Sequence, residues 1–186
     1  MELETRRFRL RDFREEDRRG LLAYQADPRY TGLFGPEAAD PAHAQELLEA
    51  FGRWARERPR RNYQLAIVEK VSGELIGCCG LRQAGCDEGS AELGIELAPD
   101  HWGRYAFAVE ITRALLDFGF ATLGLRQIHG VTTVENRRVA RLARWFGADA
   151  VAIRPGPARM SARGWRDVEW RIAREKWVRG ASTRPA

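Results

Sequence analysis

Lysine is nearly absent from this chain. Of its 31 basic residues only Lys70 and Lys176 are lysines, and the others are arginines. No clustered Lys/Arg run interleaved with aromatics occurs, which argues against a nucleic-acid-binding module. Cysteine is also scarce, at three residues. Cys78 and Cys79 are adjacent and must face opposite ways on a strand, while Cys86 sits in a polar stretch, so no Cys-x-x-Cys or metal-ligand spacing exists. His43, His101 and His129 form no His-x-x-x-His pair, and neither a structural nor a catalytic metal is expected. No apolar run approaches the roughly 20 residues of a membrane span, and the acidic start MELETR does not read as a signal peptide. The expectation is a cytoplasmic protein with no membrane partner.

What is present is ordinary for a globular protein: 186 residues, 44% hydrophobic and 31% charged. That length suits one domain with a substantial core, expected over residues 1–180, followed by a frayed tail at 181–186. Net charge is +5 and pI about 9.5. The charge is spread through the helices rather than carried in a tail. A phosphate-bearing cofactor and a plain solvated surface therefore rank ahead of nucleic acid as its explanation.

The stretch AELGIELAPDHWGRYAFAVEITRALL, Ala91–Leu116, organises the rest. Ala91, Leu93, Ile95 and Leu97 alternate with Glu92, Gly94 and Glu96, the period of a half-buried strand. Gly94 has no side chain to pack, a sign of a bulge or of close approach by a ligand or another backbone. After Trp102-Gly103-Arg104, the apolar positions Phe107, Ile111, Ala114, Leu115 and Phe118 lay one helical stripe on a sheet. A helix start leaves N–H groups without intrahelical partners and carries partial positive charge, so strand, Gly-Arg loop and helix together suit an anion such as phosphate. A turn that merely needs glycine gives the same pattern.

The segment ELGIELAPDHWGRYAFAVEITRALLDFGF resembles the acetyl-CoA-binding core of the GCN5-related N-acetyltransferases (GNAT), in particular the branch that holds the ribosomal-protein N-terminal acetyltransferases. The opening LETRRFRLRDFREED is similar to the family's first strand. Asn136 with Gly147 resembles its N-x-x-S…G-F helix, and Gly164-Trp165-Arg166-Asp167 with Trp170 and Trp177 its closing strand. There are two departures: Ala106 stands where the family has its loop glycine, with one residue inserted after Trp102, and Val139 replaces the serine. The resemblance implies an α/β (α+β) fold with a mixed, mostly antiparallel sheet of about seven strands, splayed at its centre and flanked by about four helices. It also implies acetyl-CoA as co-substrate, an amine acceptor that is a small molecule or a protein N-terminus, and a plausible homodimer.

The chain order agrees with such a fold. Thr5–Arg11 alternates as a strand, and a helix from about Glu15 ends at Asp27-Pro28, because the residue before proline avoids the helical region. Arg29–Asp40 reads as a loop whose Tyr30 and Phe34 either wall the acceptor site or anchor the loop. Asp40-Pro41 opens a helix to about Arg58, with Leu47, Leu48, Phe51, Trp54 and Ala55 as its buried stripe. Two hairpins follow, Tyr63–Glu69 with Leu75–Arg82 and then through Cys86–Gly89 to the central strand. A strand at Gln127–Val134 precedes a helix with Asn136 as N-cap. Arg137, Arg138, Arg141 and Arg144 share that helix's outer side as a solvated face or a phosphate clamp. Ala148–Arg154, a Pro155-Gly156-Pro157 loop and Arg166–Arg174 close the chain.

Through the resemblance, backbone groups of Ile95 and Leu97 would bond the pantetheine arm. Trp102, Gly103, Arg104, Tyr105, Ala106, Phe107 and Ala108 would surround the pyrophosphate, and Asn136 and Arg141 would complete the cofactor site. Glu96, and after it Glu92, are the candidate bases. A carboxylate serves an ammonium only if burial raises its pKa or a water relays the proton; a solvent-facing strand glutamate is the alternative for each. No general acid is evident with Val139 in place of serine. A catalytically degenerate acyl-CoA-binding sensor is therefore the second reading.

Overall fold

The computed structural model describes residues 1–156 and 164–181. In chain order the elements are β1 (Glu2–Glu4), β2 (Phe8–Asp12), α1 (Asp17–Gln25), α2 (Pro28–Phe34), α3 (Pro41–Arg56), β3 (Asn62–Glu69), β4 (Leu75–Arg82) and β5 (Ser90–Leu97). They continue with α4 (Tyr105–Asp117), β6 (Gln127–Thr133), α5 (Arg137–Trp145), β7 (Asp149–Pro155), β8 (Arg166–Ala173) and α6 (Arg174–Ala181). The mixed, largely antiparallel architecture is the expected one, with eight strands rather than seven.

By contacts the chain divides into two compact units. The first holds Met1–Ala84 and Gly94–Leu115. Here β1, β2, β3 and β4 pair antiparallel in sequence order, Leu10 opposite Ile67 and Leu65 opposite Cys79. Phe8, Leu10, Leu65, Ile67, Ile76 and Leu81 form its sheet core, each at 1% exposure or less. Burying a side chain of that size stabilises by roughly 1.5–3 kcal/mol. Helix α4 adds Phe107, Ile111 and Leu115, the stripe its periodicity predicts. Arg7 fastens β2's approach to α4: its backbone N–H and its Nε both donate to the Glu110 carboxylate, at 2.7 Å each.

The second unit holds Gly85–Leu93 and the residues from Leu116 on. The first half of β5 pairs parallel with β6, Ser90 opposite Gln127 through Glu92 opposite His129. β6 and β7 flank β8 antiparallel. Ile128, Trp170 and Ile172 are buried on these strands, and Phe146 and Trp177 pack against each other from α5 and α6.

Three expectations are corrected. Residues 29–40 are not a loop: Asp27 caps α2 by accepting from the Arg29 N–H, Pro28 occupies its first turn, and a 3-10 turn, Pro36–Ala39, follows. The Asp-Pro signal that opens α3 thus also opens α2; as a terminator for α1 alone it was half read. The chain does not run out after β8 but forms α6, which makes six α-helices among the described residues. Of the expected α3 stripe only Phe51 is buried, with Leu47, Leu48, Trp54 and Ala55 half-buried. Pro157 and residues 182–186 lie outside the described residues.

One buried ion pair fixes the turn from β2 into α1. Arg11 donates from Nη1 and Nη2 to Asp17 at 2.6 and 2.9 Å, and the Arg14 N–H donates to the same carboxylate at 2.7 Å. Arg11 is 7% and Asp17 5% exposed, so removing one partner strands a charge away from water. Asp17→Ala is expected to destabilise by about 3–5 kcal/mol. Thermal unfolding would show this as a Tm lowered by on the order of 10 °C; a Tm within a degree or two of the parent would refute it.

Candidate active site

Within the first unit, the end of α1, the start of α2 and the second half of β5 converge on one carboxyl group. Tyr24 Oη donates to Glu96 Oε1 at 2.7 Å and Tyr30 Oη donates to Glu96 Oε2 at 2.8 Å. The Cys78 thiol of β4 lies 3.9 Å from Oε1. The two tyrosine rings meet edge to face at 5.6 Å. Burial pushes the Glu96 carboxyl up from the ordinary carboxylate range, and the tyrosine and cysteine donors oppose that rise only in part. Burial, then the neighbouring Glu96 and Cys78, push the Tyr24 and Tyr30 hydroxyls up, so both remain phenols that donate. Burial and Glu96 likewise push Cys78 up, which keeps it a thiol.

Glu96 lines a cavity of about 340 Å³. Its apolar wall comes from Leu21 of α1 and Leu47, Phe51 and Trp54 of α3, and its polar side from Gln25, Tyr30, His43, Gln64, Cys78 and Arg82. Arg82 Nη1 donates to Gln64 Oε1 at 3.0 Å. Gly94 makes room for that guanidinium: a Cβ there would stand 2.9 Å from both Nη atoms. The close approach that Gly94 signals in the sequence is therefore made by an arginine side chain.

Of the sequence-derived candidates, Glu96 and Tyr30 come together in this cavity. Phe34 does not line it; its ring packs on Tyr30 at 4.4 Å and is 38% exposed. Glu92 belongs to the second unit, where it pairs with His129, and is not part of the cavity. Tyr24, Gln25, Gln64 and Arg82 are not among the sequence-derived candidates, and Cys78 enters there only as a cysteine without metal-ligand spacing. The alternation of β4 could have flagged Cys78 and Arg82 as a pair four residues apart on one face, whereas Tyr24 and Gln25, at the end of a helix, carry no local sign.

Also in the first unit, Ile95 and Leu97 are half-buried on β5, and Trp102 Nε1 donates to the Leu97 carbonyl at 2.7 Å, which pins the following loop to the strand end. Gly103 has φ +87°, and a Cβ built there meets nothing within 4 Å. It supplies the left-handed residue of the loop, so Ala106, inside α4, has no need of glycine's freedom. Arg104 is exposed with its guanidinium 5.2 Å from the Phe107 ring. Tyr105, Ala106, Phe107 and Ala108 make the first turn of α4. In the second unit Asn136 Oδ1 accepts from the Val139 N–H at 3.1 Å as the N-cap of α5, with Arg141 exposed on the same helix.

A family model described as an acetyltransferase (GNAT) domain matches residues 7–149. The chain is 31% identical over 135 residues to the "Uncharacterized N-acetyltransferase p20" of Bacillus licheniformis, covering 72% of this chain and 74% of that one. It is 31% identical over 97 residues to the spermidine N(1)-acetyltransferase of Vibrio cholerae, covering 52% of this chain and 54% of the other. The crystal structure of spermidine N-acetyltransferase from Vibrio cholerae in complex with CoA and spermine shares the fold, with TM-score 0.76, 21% identity and coverage of 92% and 98%. The fold and these likenesses define an acyl-group transferase. The chain belongs to the GNAT acetyltransferase family and is an N-acetyltransferase that takes acetyl-CoA as co-substrate. The residues present fit that co-substrate: a thirteen-residue helix starts beside an open glycine and an exposed arginine, a donor set suited to phosphate. Among the described residues no cluster could hold a metal ion, and no helix is long and apolar enough to cross a membrane.

The two phenols fix a testable direction for Glu96. Each donates to the ionised carboxylate and favours it, so Tyr24→Phe should raise the Glu96 pKa further. Titration of 13C-labelled glutamate carboxyls would show one resonance above the ordinary range in the parent and higher still in the variant; a shift downward would overturn the assignment. Because the folded value is raised, Glu96's contribution to stability is fully present below the unfolded value and lost as pH rises through the folded one. Glu96→Gln should remove that loss.

Proposed function

We propose that Glu96 is the proton acceptor for an amine held in the Tyr30-lined cavity, and that the acceptor is a primary amine of a small molecule or of a protein N-terminus, as the likeness to the ribosomal-protein N-terminal branch suggests. The observation that carries this reading is a carboxyl held by two phenols, raised in pKa by burial and facing a cavity. An acceptor arrives as an ammonium and becomes a nucleophile only on losing a proton, and a base whose pKa is raised suits that task. Glu92 is the weaker candidate, since it does not line the cavity.

Acetyl-CoA supplies an acetyl thioester when bound. The amine attacks its carbonyl in a ternary complex, the C–N bond forms, the C–S bond breaks, one amine proton passes to Glu96 or a water beside it, and the departing sulfur takes up another. Backbone groups of Ile95 and Leu97 bond the arm of the co-substrate by strand addition. In the first unit the first turn of α4, Tyr105–Ala108, with Trp102, Gly103 and Arg104, would hold its phosphates, and in the second unit Asn136 and Arg141 are the candidates that the resemblance implies. Asn136 offers its amide N–H2, since its oxygen serves the cap. Tyr30, and Phe34 through it, shape the acceptor side. A homodimer accords with this reading, in which residues 1–180 act as one acyl-CoA-binding domain.

Glu96→Gln should lower kcat by about 10²- to 10⁴-fold, the worth of a general base, and abolish the acid limb of the pH profile; turnover unchanged across pH would exclude Glu96. Acetyl-CoA at about 100 times its Kd should raise Tm by roughly 5–11 °C, with ATP as the phosphate control. Stabilisation without release of thiol on any amine would favour the sensor reading.

A further inference from the structure

The Glu96 cavity holds a polar atom and an apolar face that the packing of the first unit leaves open. Gln25, at the end of α1, lines the cavity at 4% exposure, and its Oε1 has no hydrogen-bond partner among the described residues. Its amide lies within reach of the Tyr30 hydroxyl that donates to Glu96 Oε2, so the orphan acceptor is one residue removed from the carboxylate. A buried acceptor without a donor costs the desolvation of that group until a ligand or a water brings one. An ammonium has three N–H donors, enough for a Glu96 oxygen and for Gln25 Oε1 together. On α3, Leu47, Phe51 and Trp54 follow at four and three residues, so they share one helix face, and all three line the cavity. Leu47 and Trp54 are only half-buried, and the Phe51 and Trp54 rings lie 5.7 Å apart at 38°. Among the described residues that line the cavity Glu96 is the one acidic group, and Arg82 is committed within the protein, to Gln64 Oε1 and to a further interaction. The cavity therefore offers one seat for a cation and, beside it, an apolar wall that a ring would cover.

We infer that the acceptor is a primary monoamine with an aromatic body, its ammonium shared between Glu96 and Gln25 Oε1 and its ring against Phe51 and Trp54. Gln25 and Trp54 are then specificity residues. At about 340 Å³ the cavity stands at the low end of ligand sites, which run from roughly 300 to 1,000 Å³, and suits one ring with a short amine-bearing arm. A polyamine fits poorly, because its second ammonium would lie along the apolar wall without a counter-charge. An α-amino acid places a carboxylate one carbon from the ammonium, where it is held beside Glu96, like charge against like. A peptide N-terminus adds a backbone amide at that point, whose N–H and C=O need partners of their own. The inference rests on the acetyl-transfer reading for turnover but not for binding.

The test uses the full chain with phenethylamine, ethylamine, spermidine, L-phenylalanine and, as a mimic of a peptide N-terminus, L-phenylalanine amide. Each is scored by thiol release from acetyl-CoA and, with CoA in place of acetyl-CoA, by thermal shift. The expected result is a kcat/KM for phenethylamine about 10- to 100-fold above that for each of the others, the worth of burying one ring or of sparing one polar group. Trp54→Ala should bring the ratio of phenethylamine to ethylamine toward one, and Trp54→Phe, which keeps a ring, should restore part of it. Gln25→Met, of similar length without the acceptor, should raise KM for phenethylamine about 10-fold with a smaller change in kcat. A ratio unmoved in Trp54→Ala, a KM unmoved in Gln25→Met, or equal or better use of any other amine overturns the inference while leaving acetyl transfer standing. If no amine is acetylated, a thermal shift with phenethylamine that ethylamine does not give keeps the inference and overturns the transfer reading. No shift with either overturns both.

Discussion

A half-buried carboxylate depends on its neighbours for much of its hydrogen bonding, and Glu96 is held by two phenols that arrive from helices 66 and 72 residues away in sequence. Much of the first unit serves this requirement. Asp27 and Pro28 start α2 at a point that brings Tyr30 to one oxygen, and α1 ends so that Tyr24 reaches the other. The Arg11–Asp17 pair sets where α1 begins. Were either helix displaced by a turn, the carboxylate would lose a donor, and its pKa would move further from the carboxylate range.

The same group shows how stability and chemistry are set against each other. A carboxyl whose pKa burial raises weakens the fold where it ionises, yet that raised affinity for a proton suits it to the proposed deprotonation of an ammonium. The phenols hold the balance: donation from both oxygens' partners moderates the rise without cancelling it. Cys78 adds a third, weaker neighbour, and burial keeps it from competing as a nucleophile.

Much of this was legible in the sequence, and the remainder has identifiable physical causes. β5 announces itself by alternation, β3 and β4 by their hairpin turn, and α3, α4 and α5 by their stripes and caps, because these signals are local. Tyr30 and Glu96 could each be named as a candidate, but their meeting could not, since no spacing rule links residues so far apart. Tyr24 looks in sequence like one more apolar position on a helix. The α2 helix escaped because Asp27-Pro28 ends one helix and starts the next, and the first role hides the second. Gly94 was read as a place of close approach without any sign that Arg82 would fill it. Ala106 departs from the family's loop glycine; it lies inside α4, and Gly103 carries the loop's positive φ.

The interruption of the first unit has a consequence for synthesis. Its strands and helices up to Ala84 leave the ribosome first, but the contributions from Gly94–Leu115 follow only after the segment Gly85–Leu93, which belongs to the other unit. At translation rates of about 5–20 residues per second, the delay is on the order of seconds. During that time Tyr24 and Tyr30 have no carboxylate to bond, Arg7 has no Glu110, and Ile76 lacks the Ala98 N–H that its carbonyl accepts at 2.8 Å. The nascent chain thus holds an incomplete layer with an open strand edge, the kind of intermediate that chaperones guard. The Glu96 cavity is among the last features of that unit to form.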